Sequence, residues 1–378
     1  VWMVYDLLED SYKAMKVQFP KYYKDSLHEI KVMNKINNIK NSDSRIVKLY
    51  DTFLVDKTNY MIYELLGISL LELFRENEDD NDIESIEELE NIEDLEELES
   101  DNTIPVDCVK RVIKDILIGL EEAHQKKIIH TDLKPENILL NIENPQVEDI
   151  KKKFSSKNPS DIYNKLITRH LPDDFYEQDK KKRKHTKKKA KTKALNEFKI
   201  LFDLNKDEFN FNENLNEIDI DYSKIRAKIV DFGNGEFEDD LLQDEISLRC
   251  YRCPENILNE YYDVKSDIWV VGCICYELLT REYLFDIDKN KKSIERNKEH
   301  LHQMFELLGK MPKNLTENCD FGNMYFDGKG RILNNKKFDH VPINDILATE
   351  FNFSDEEADL IGDFLYKMLE YDPKISNA

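Results

Sequence analysis

The sequence predicts an α+β fold, because segments with strand alternation and segments with helical period occur in one chain. Tyr12-Lys13-Ala14-Met15-Lys16-Val17 alternates with a period of two, which places Ala14 and Lys16 on the same face of a strand. Lys228-Ile229-Val230 reads as a second strand, running into a turn at Asp231-Phe232-Gly233. Against these, Val106, Val109, Val112, Ile113, Ile116, Leu117 and Leu120 trace a single stripe from Pro105 onward, the pattern of a helix packed on a core. At 378 residues, 40% of them hydrophobic, the chain can bury a sizeable core and has the length of two or three domains.

The remaining elements follow in order. Leu27, Ile30 and Met33 recur at helical spacing beside Glu29. Asp267-Ile268-Trp269 leads into Val270, Val271, Gly272, Cys273 and Ile274, an apolar helix far too short to span a bilayer. Glu299 and Glu306 stand seven apart on an expected helix, hence on one face. Ser354-Asp355-Glu356-Glu357 has capping-box spacing before Leu360, Ile361, Phe364, Leu365, Met368 and Leu369, and so opens a last helix.

Chemistry concentrates in His130-Thr131-Asp132-Leu133-Lys134-Pro135-Glu136-Asn137. Phosphoryl transfer from ATP needs a carboxylate to accept a hydroxyl proton, a cation near the transferred phosphate and an oxygen ligand for Mg²⁺; Asp132, Lys134 and Asn137 supply that set within one loop. Asp231, after its strand, offers a carboxylate for the same ion.

These motifs resemble the protein kinases: a catalytic loop H-R-D-L-x-x-x-N with Thr131 in place of Arg, then D-F-G, then Cys253-Pro254-Glu255 in the slot of A-P-E. The resemblance implies a bilobal fold. A small β-rich lobe with the hinge is expected over residues 1–66, and a larger helical lobe over 67–378. It further implies that Lys16 meets the α- and β-phosphates and pairs with Glu29, and that Asn137 and Asp231 hold Mg²⁺. Adenine would lie against Ala14, with Val1 above and Leu139 below; Tyr63 matches the gatekeeper, and backbone groups of Glu64 and Leu66 would meet the adenine edge.

His-Thr-Asp, Asp231-Phe232-Gly233-Asn234, Leu248-Arg249-Cys250-Tyr251-Arg252, Tyr283-Leu284-Phe285 and Glu299-His300 leading to Glu306-Leu307-Leu308-Gly309 look like the SR-protein kinases within that family. Phe232 and Pro254 depart from the subfamily pattern and lean toward Clk-type dual-specificity kinases, the alternative reading. The subfamily implies Ser/Thr phosphorylation of basic, Arg/Ser-rich proteins such as splicing factors, docked partly by Glu299 and Glu306, by a monomer of the cytoplasm and nucleus. A catalytically weak pseudokinase scaffold that binds basic segments is the competing class; retention of Lys16, Glu29, Asp132, Lys134, Asn137 and Asp231 argues for the enzyme.

Two insertions interrupt this pattern, and charge is unevenly spread over them. The chain carries 78 acidic and 55 basic side chains, a net −23. Residues 76–101 hold fifteen carboxylates and no cation. Their apolar residues recur every three positions, drifting about 60° per step round a helix, so no stripe forms and a low-complexity loop is expected. The spacer 141–223 separates the catalytic loop from D-F-G, a length typical of the SR-protein kinases. Its centre, 180–193, has ten Lys or Arg and reads as a solvated, disordered tether, with a nuclear-import or nucleic-acid-contacting role as the alternative. That run lacks interleaved aromatics, so base stacking is not suggested and no direct nucleic-acid contact is expected. Removing both insertions leaves an acidic remainder that would steer basic substrates.

Regulation is legible in Thr131, which cannot bind an activation-segment phosphate as the usual arginine does; a segment held by packing, Arg249 and Arg252 is expected to be active without an upstream kinase. Cys250 and Cys253 form C-x-x-C without a second pair, so zinc is not expected and the six cysteines read as reduced thiols. No signal peptide or membrane segment is visible. Val1-Trp2 resembles the close of the phosphate-covering loop, whose glycines would precede residue 1; an arginine after Tyr371-Asp372-Pro373 would be expected to pair with Glu255.

Overall fold

The structure is a computed structural model that describes residues 1–37, 43–76, 104–201, 220–241, 245–317, 321–327, 330–333 and 340–371. The acidic insertion expected over 76–101 therefore lies almost wholly outside the described residues. Strands are β1 (Trp2–Asp6), β2 (Ser11–Gln18), β3 (Leu49–Val55), β4 (Thr58–Glu64), β5 (Ile128–Ile129), β6 (Ile138–Leu140), β7 (Ala227–Ile229) and β8 (Glu236–Phe237). Helices up to the spacer are α1 (Tyr23–Asn37), α2 (Leu70–Glu76), α3 (Val106–His124), α4 (Pro145–Ser155), α5 (Pro159–Arg169) and α6 (Lys180–Leu201). Beyond it come α7 (Pro254–Ile257), α8 (Lys265–Thr280), α9 (Ser293–Leu308), α10 (Lys313–Glu317), α11 (Gly322–Tyr325), α12 (Ile343–Glu350) and α13 (Asp355–Met368). Two compact units result, and they interleave the chain. One comprises 1–20, 49–67 and 142–220, and the other 21–48, 68–141 and 221–378, so packing groups segments that a division at 66/67 keeps apart.

The first unit is built on an antiparallel sheet of order β1-β2-β4-β3. Asp56 and Lys57 both take positive φ (47° and 63°) between β3 and β4, the two-residue turn whose twist matches the strands it joins. Between β1 and β2 the Asp6 carboxylate accepts the backbone N–H of Leu8 (2.8 Å) and Glu9 (3.1 Å) and pairs with Lys13 at 3.0 Å, which closes the hairpin. Register sets Ala14 opposite Tyr63 and Lys16 opposite Met61.

The spacer corrects the sequence reading. The basic run 180–193 is not a disordered tether but the first two-thirds of α6. Ala190, Ala194 and Phe198, four residues apart, form a buried stripe against Tyr163, Leu166 and Ile167 of α5, with Leu7 packed alongside. Lysine is itself a good helix former, so the run needs only this stripe to anchor it. The stripe extends beyond Lys193, out of view in a reading of the charges alone. Helix α4 is tied to the sheet: Tyr12 donates to the Lys151 carbonyl at 2.8 Å, and the Phe154 ring meets Tyr5 edge-on at 5.0 Å.

The second unit is organised round α8, buried from Ser266 to Thr280. Helix α3 lays Val109, Val112, Ile113, Ile116 and Leu120 on it, as the stripe predicts. Helix α13 packs against α8 as well. Gly272 permits this: a Cβ there would come 3.0 Å from the Leu369 side chain. The predicted capping box holds, with Ser354 Oγ accepting the Glu357 N–H at 3.4 Å. Leu360 and Phe364, expected in the core stripe, stay exposed on the rim of an open groove of about 920 Å³ along α3.

Candidate active site

Loop 130–137 is held from behind by Asp267, in the first turn of α8 and 1% exposed. Its carboxylate accepts the backbone N–H of His130 (2.8 Å) and Thr131 (3.1 Å), and His124 Nε2 lies 2.8 Å from it. His130, fully buried, meets the Val230 carbonyl through Nε2 (3.0 Å), while its Nδ1 accepts the Asp132 N–H at 3.3 Å. Buried polar groups must find partners, and this chain of bonds fixes where Asp132 emerges.

Around Asp132 the functional side chains converge. Lys134 Nζ stands 3.3 and 3.2 Å from its two carboxylate oxygens. Asn137 Nδ2 donates to the Asp132 carbonyl at 2.8 Å, and among the described residues no group donates to Asn137 Oδ1. The Asn137 backbone carbonyl accepts the Val230 N–H at 3.0 Å, and β6 pairs with β7 in the register Ile138 with Ile229; Asp231 therefore begins one residue beyond that contact. Asp231 is exposed, in a left-handed conformation (φ 60°) that an aspartate tolerates. An amide oxygen and a carboxylate on adjacent backbones are hard donors suited to Mg²⁺. No cluster of three His, Cys, Asp or Glu placed for a metal occurs among the described residues, which leaves an Asn/Asp pair of this kind untouched.

Strand β7 is itself pinned. Asp115 accepts from Arg45 Nε (2.7 Å), Arg226 Nε (2.9 Å) and the Ala227 N–H (3.0 Å), and Ile229 bonds both ways to the 45–47 segment. Leu139 is half-buried on β6. Glu29 is buried on α1 (2% exposed) within the same unit.

The other predicted residues belong to the sheet unit. Lys16 and Ala14 lie two apart on β2 as expected, Tyr63 is buried opposite Ala14, Glu64 ends β4, Leu66 is half-buried beyond it, and Val1 is exposed.

One contact at Asp132 escaped the sequence reading. Asn234 donates through Nδ2 to Asp132 Oδ2 at 3.3 Å, and its carbonyl accepts the Thr131 hydroxyl at 2.8 Å. Thr131 (φ 66°) also accepts the Ser247 N–H at 2.8 Å, so one neutral residue ties the catalytic loop to both ends of the following segment. The only available signal was the dipeptide Gly233-Asn234. Arg252 pairs with Glu245 at 3.2 Å, and Arg249 donates to Asn297 Oδ1. His300, fully buried beside Phe285, is pushed down to about 3 by burial and then by Arg249 and Arg252, so it stays neutral.

Burial pushes the Cys250 thiol up to about 12 and Cys253 well above its usual value, so neither is a ready thiolate. Burial likewise raises Glu277, which accepts the Tyr251 hydroxyl at 2.6 Å, to about 7, and Glu255 to about 7. A carboxyl raised above its unfolded value adds stability that is complete below that value, about 4.5, and is lost as pH climbs through 7. The thermal midpoint is therefore expected to fall between pH 5 and pH 8. Each group contributes at most roughly 3 kcal/mol. Glu277→Gln, which keeps an acceptor for Tyr251, should flatten part of that fall; an unchanged slope in a pH series of melting curves would refute the assignment.

Glu299 and Glu306 share the partly exposed face of α9. Glu299 already pairs with Lys291, and Glu306 lies 3.3 Å from His302.

The chain matches the protein kinase domain over residues 8–152 and 215–375, and the gap between the two blocks falls inside the spacer. It is 28% identical to protein kinase dsk1 of Schizosaccharomyces pombe over 436 residues, spanning 100% of this chain and 76% of that protein. Identity to the serine/threonine-protein kinase SRPK of Physarum polycephalum is 30%, over 87% of this chain and 67% of that one. To the serine/threonine-protein kinase SKY1 of Saccharomyces cerevisiae it is 35%, over 40% of this chain and 20% of the relative. No described helix is long and apolar enough to cross a membrane. With the catalytic loop, the D-F-G turn and their mutual hydrogen bonds in place, the chain belongs to the protein kinase family, among its SR-protein-kinase-like serine/threonine kinases.

Proposed function

We propose that this kinase phosphorylates serines in basic, Arg/Ser-rich proteins such as splicing factors, in the cytoplasm and nucleus, without activation by another kinase. The observation that carries the reading is the convergence of Lys134, Asn137 and Asn234 on Asp132. Mg²⁺-ATP, the cosubstrate this family uses, supplies the transferable phosphoryl group and neutralises its charge. Asp132 accepts the proton of the substrate hydroxyl. Lys134 offsets negative charge at the transferred group, and Asn137 and Asp231 hold the metal. Lys16 and Glu29 take the roles of the phosphate-binding lysine and its carboxylate partner.

A net charge of −23 supports a basic substrate class through long-range steering, with Glu299 and Glu306 as partial docking groups. Thr131 supports constitutive activity, since a hydroxyl bonded to the Asn234 carbonyl does the bridging that an arginine and a phosphate would share. Peptides of Arg-Ser, Lys-Ser and Ser-Pro type, compared with Mg-ATP, test the substrate class: Arg-Ser should be preferred at least tenfold in kcat/KM, about 1.4 kcal/mol. Equal use of Ser-Pro would favour the Clk-like alternative suggested by Phe232 and Pro254. Phosphatase treatment should leave the rate within about twofold, and a large loss would overturn the constitutive reading.

A further inference from the structure

Helix α6 presents its cations outward from a fixed support. Lys180 to Lys184, Lys187 to Lys189 and Lys193, with Arg183 among them, are exposed, and only Lys191 of the ten is half-buried. At 1.5 Å per residue, 180–193 is a row about 20 Å long. Among the described residues only Lys182 of the ten has an ion-pair partner, Asp174 at 4.0 Å. Of the neighbouring carboxylates, Asp179 sits at the start of the row, accepting the N–H of Lys181 and Lys182, and Glu197 holds Arg169 and His170. Among the described residues of a chain of net −23, α6 thus carries a concentrated cationic surface with few ion-pair partners.

We propose that this face of α6 binds double-stranded nucleic acid through its phosphates, without reading sequence. Three properties select that partner. The apolar stripe of the helix is spent on α5, so α6 has none to insert among lipid acyl chains. Protein interfaces are anchored by aromatic residues and arginine and are poor in lysine, whereas nine of these ten cations are lysine. Lysine is a point charge with rotatable donors, matched to phosphate oxygens and making no demand on base identity. The lack of aromatics, which argues against stacking on single strands, is no obstacle to phosphate contact along a duplex. The negative net charge slows the approach of a polyanion, while the contacts themselves are made locally by the lysine row.

The test does not depend on the proposed substrate class. Fluorescence anisotropy would follow binding of the whole protein to labelled duplex RNA, duplex DNA of the same sequence and single-stranded RNA, with sedimentation on phosphatidylserine vesicles in parallel. About five phosphate contacts give a log–log salt slope near −4.5, a loss of roughly 500-fold between about 50 and 200 mM salt. The quadruple variant Lys184→Gln, Lys187→Gln, Lys188→Gln, Lys189→Gln alters only exposed positions. It should reduce the slope to about −1 and weaken duplex binding at least ~10-fold at low salt, with peptide phosphorylation and helical circular dichroism unchanged. The RNA and DNA arms identify which duplex is preferred. Absence of duplex binding at low salt, equal binding by the variant, stronger binding to single strands, or vesicle binding as strong as duplex binding would each overturn the proposal.

Discussion

Replacing Asp132 by alanine is expected to lower kcat by about 10²- to 10⁴-fold, the range that a positioned general base supplies. Asp132 is the carboxylate of its loop on which other side chains converge, and Lys134 and Asn234 both meet it at 3.2–3.3 Å. Those partners stay partly solvated when it is removed, so the thermal midpoint should move little and peptide KM should change less than kcat. Single-turnover phosphorylation with saturating Mg-ATP reads the chemical step directly. A variant retaining a tenth or more of the wild-type rate would remove Asp132 from the base role and reopen the scaffold reading.

Asp267→Ala should have the largest effect on stability. This carboxylate is 1% exposed and serves His130 N–H, Thr131 N–H and the His124 ring. Truncation strands two buried backbone donors at about 1–3 kcal/mol each, so a loss of roughly 3–5 kcal/mol is expected, together with most of the activity because the loop is no longer held. Asp267→Asn keeps one acceptor and should lie between the two. Denaturant midpoints of the three proteins at one pH measure the series, and a midpoint for the alanine variant within experimental error of wild type would show that the loop is fixed by other means.

Much of the site was legible because its chemistry is local. Asp132, Lys134 and Asn137 fit within one loop of eight residues, and their types and spacing carry the resemblance to the protein kinases that names the reaction. Strand β2 and helix α3 were legible for a related reason: period two and period 3.6 are written in side chains a few positions apart. The Asn234 contact to Asp132 was not, since it joins residues 102 apart. The placement of Leu360 and Phe364 on an open rim escaped as well, because a stripe says which face is apolar but not whether a neighbour covers it.

The spacer marks the boundary most clearly. Sequence by itself determined the order of the motifs, the residue types at the reacting centre, the length of the insertion and the sign of its central charge. Only the tertiary structure decided that the lysine run is a helix, because Ala190, Ala194 and Phe198 stabilise it by burial against α5, and that nine of its ten cations stay exposed. Burial depends on which surfaces meet after the chain has folded back on itself, and periodicity supplies only the surfaces.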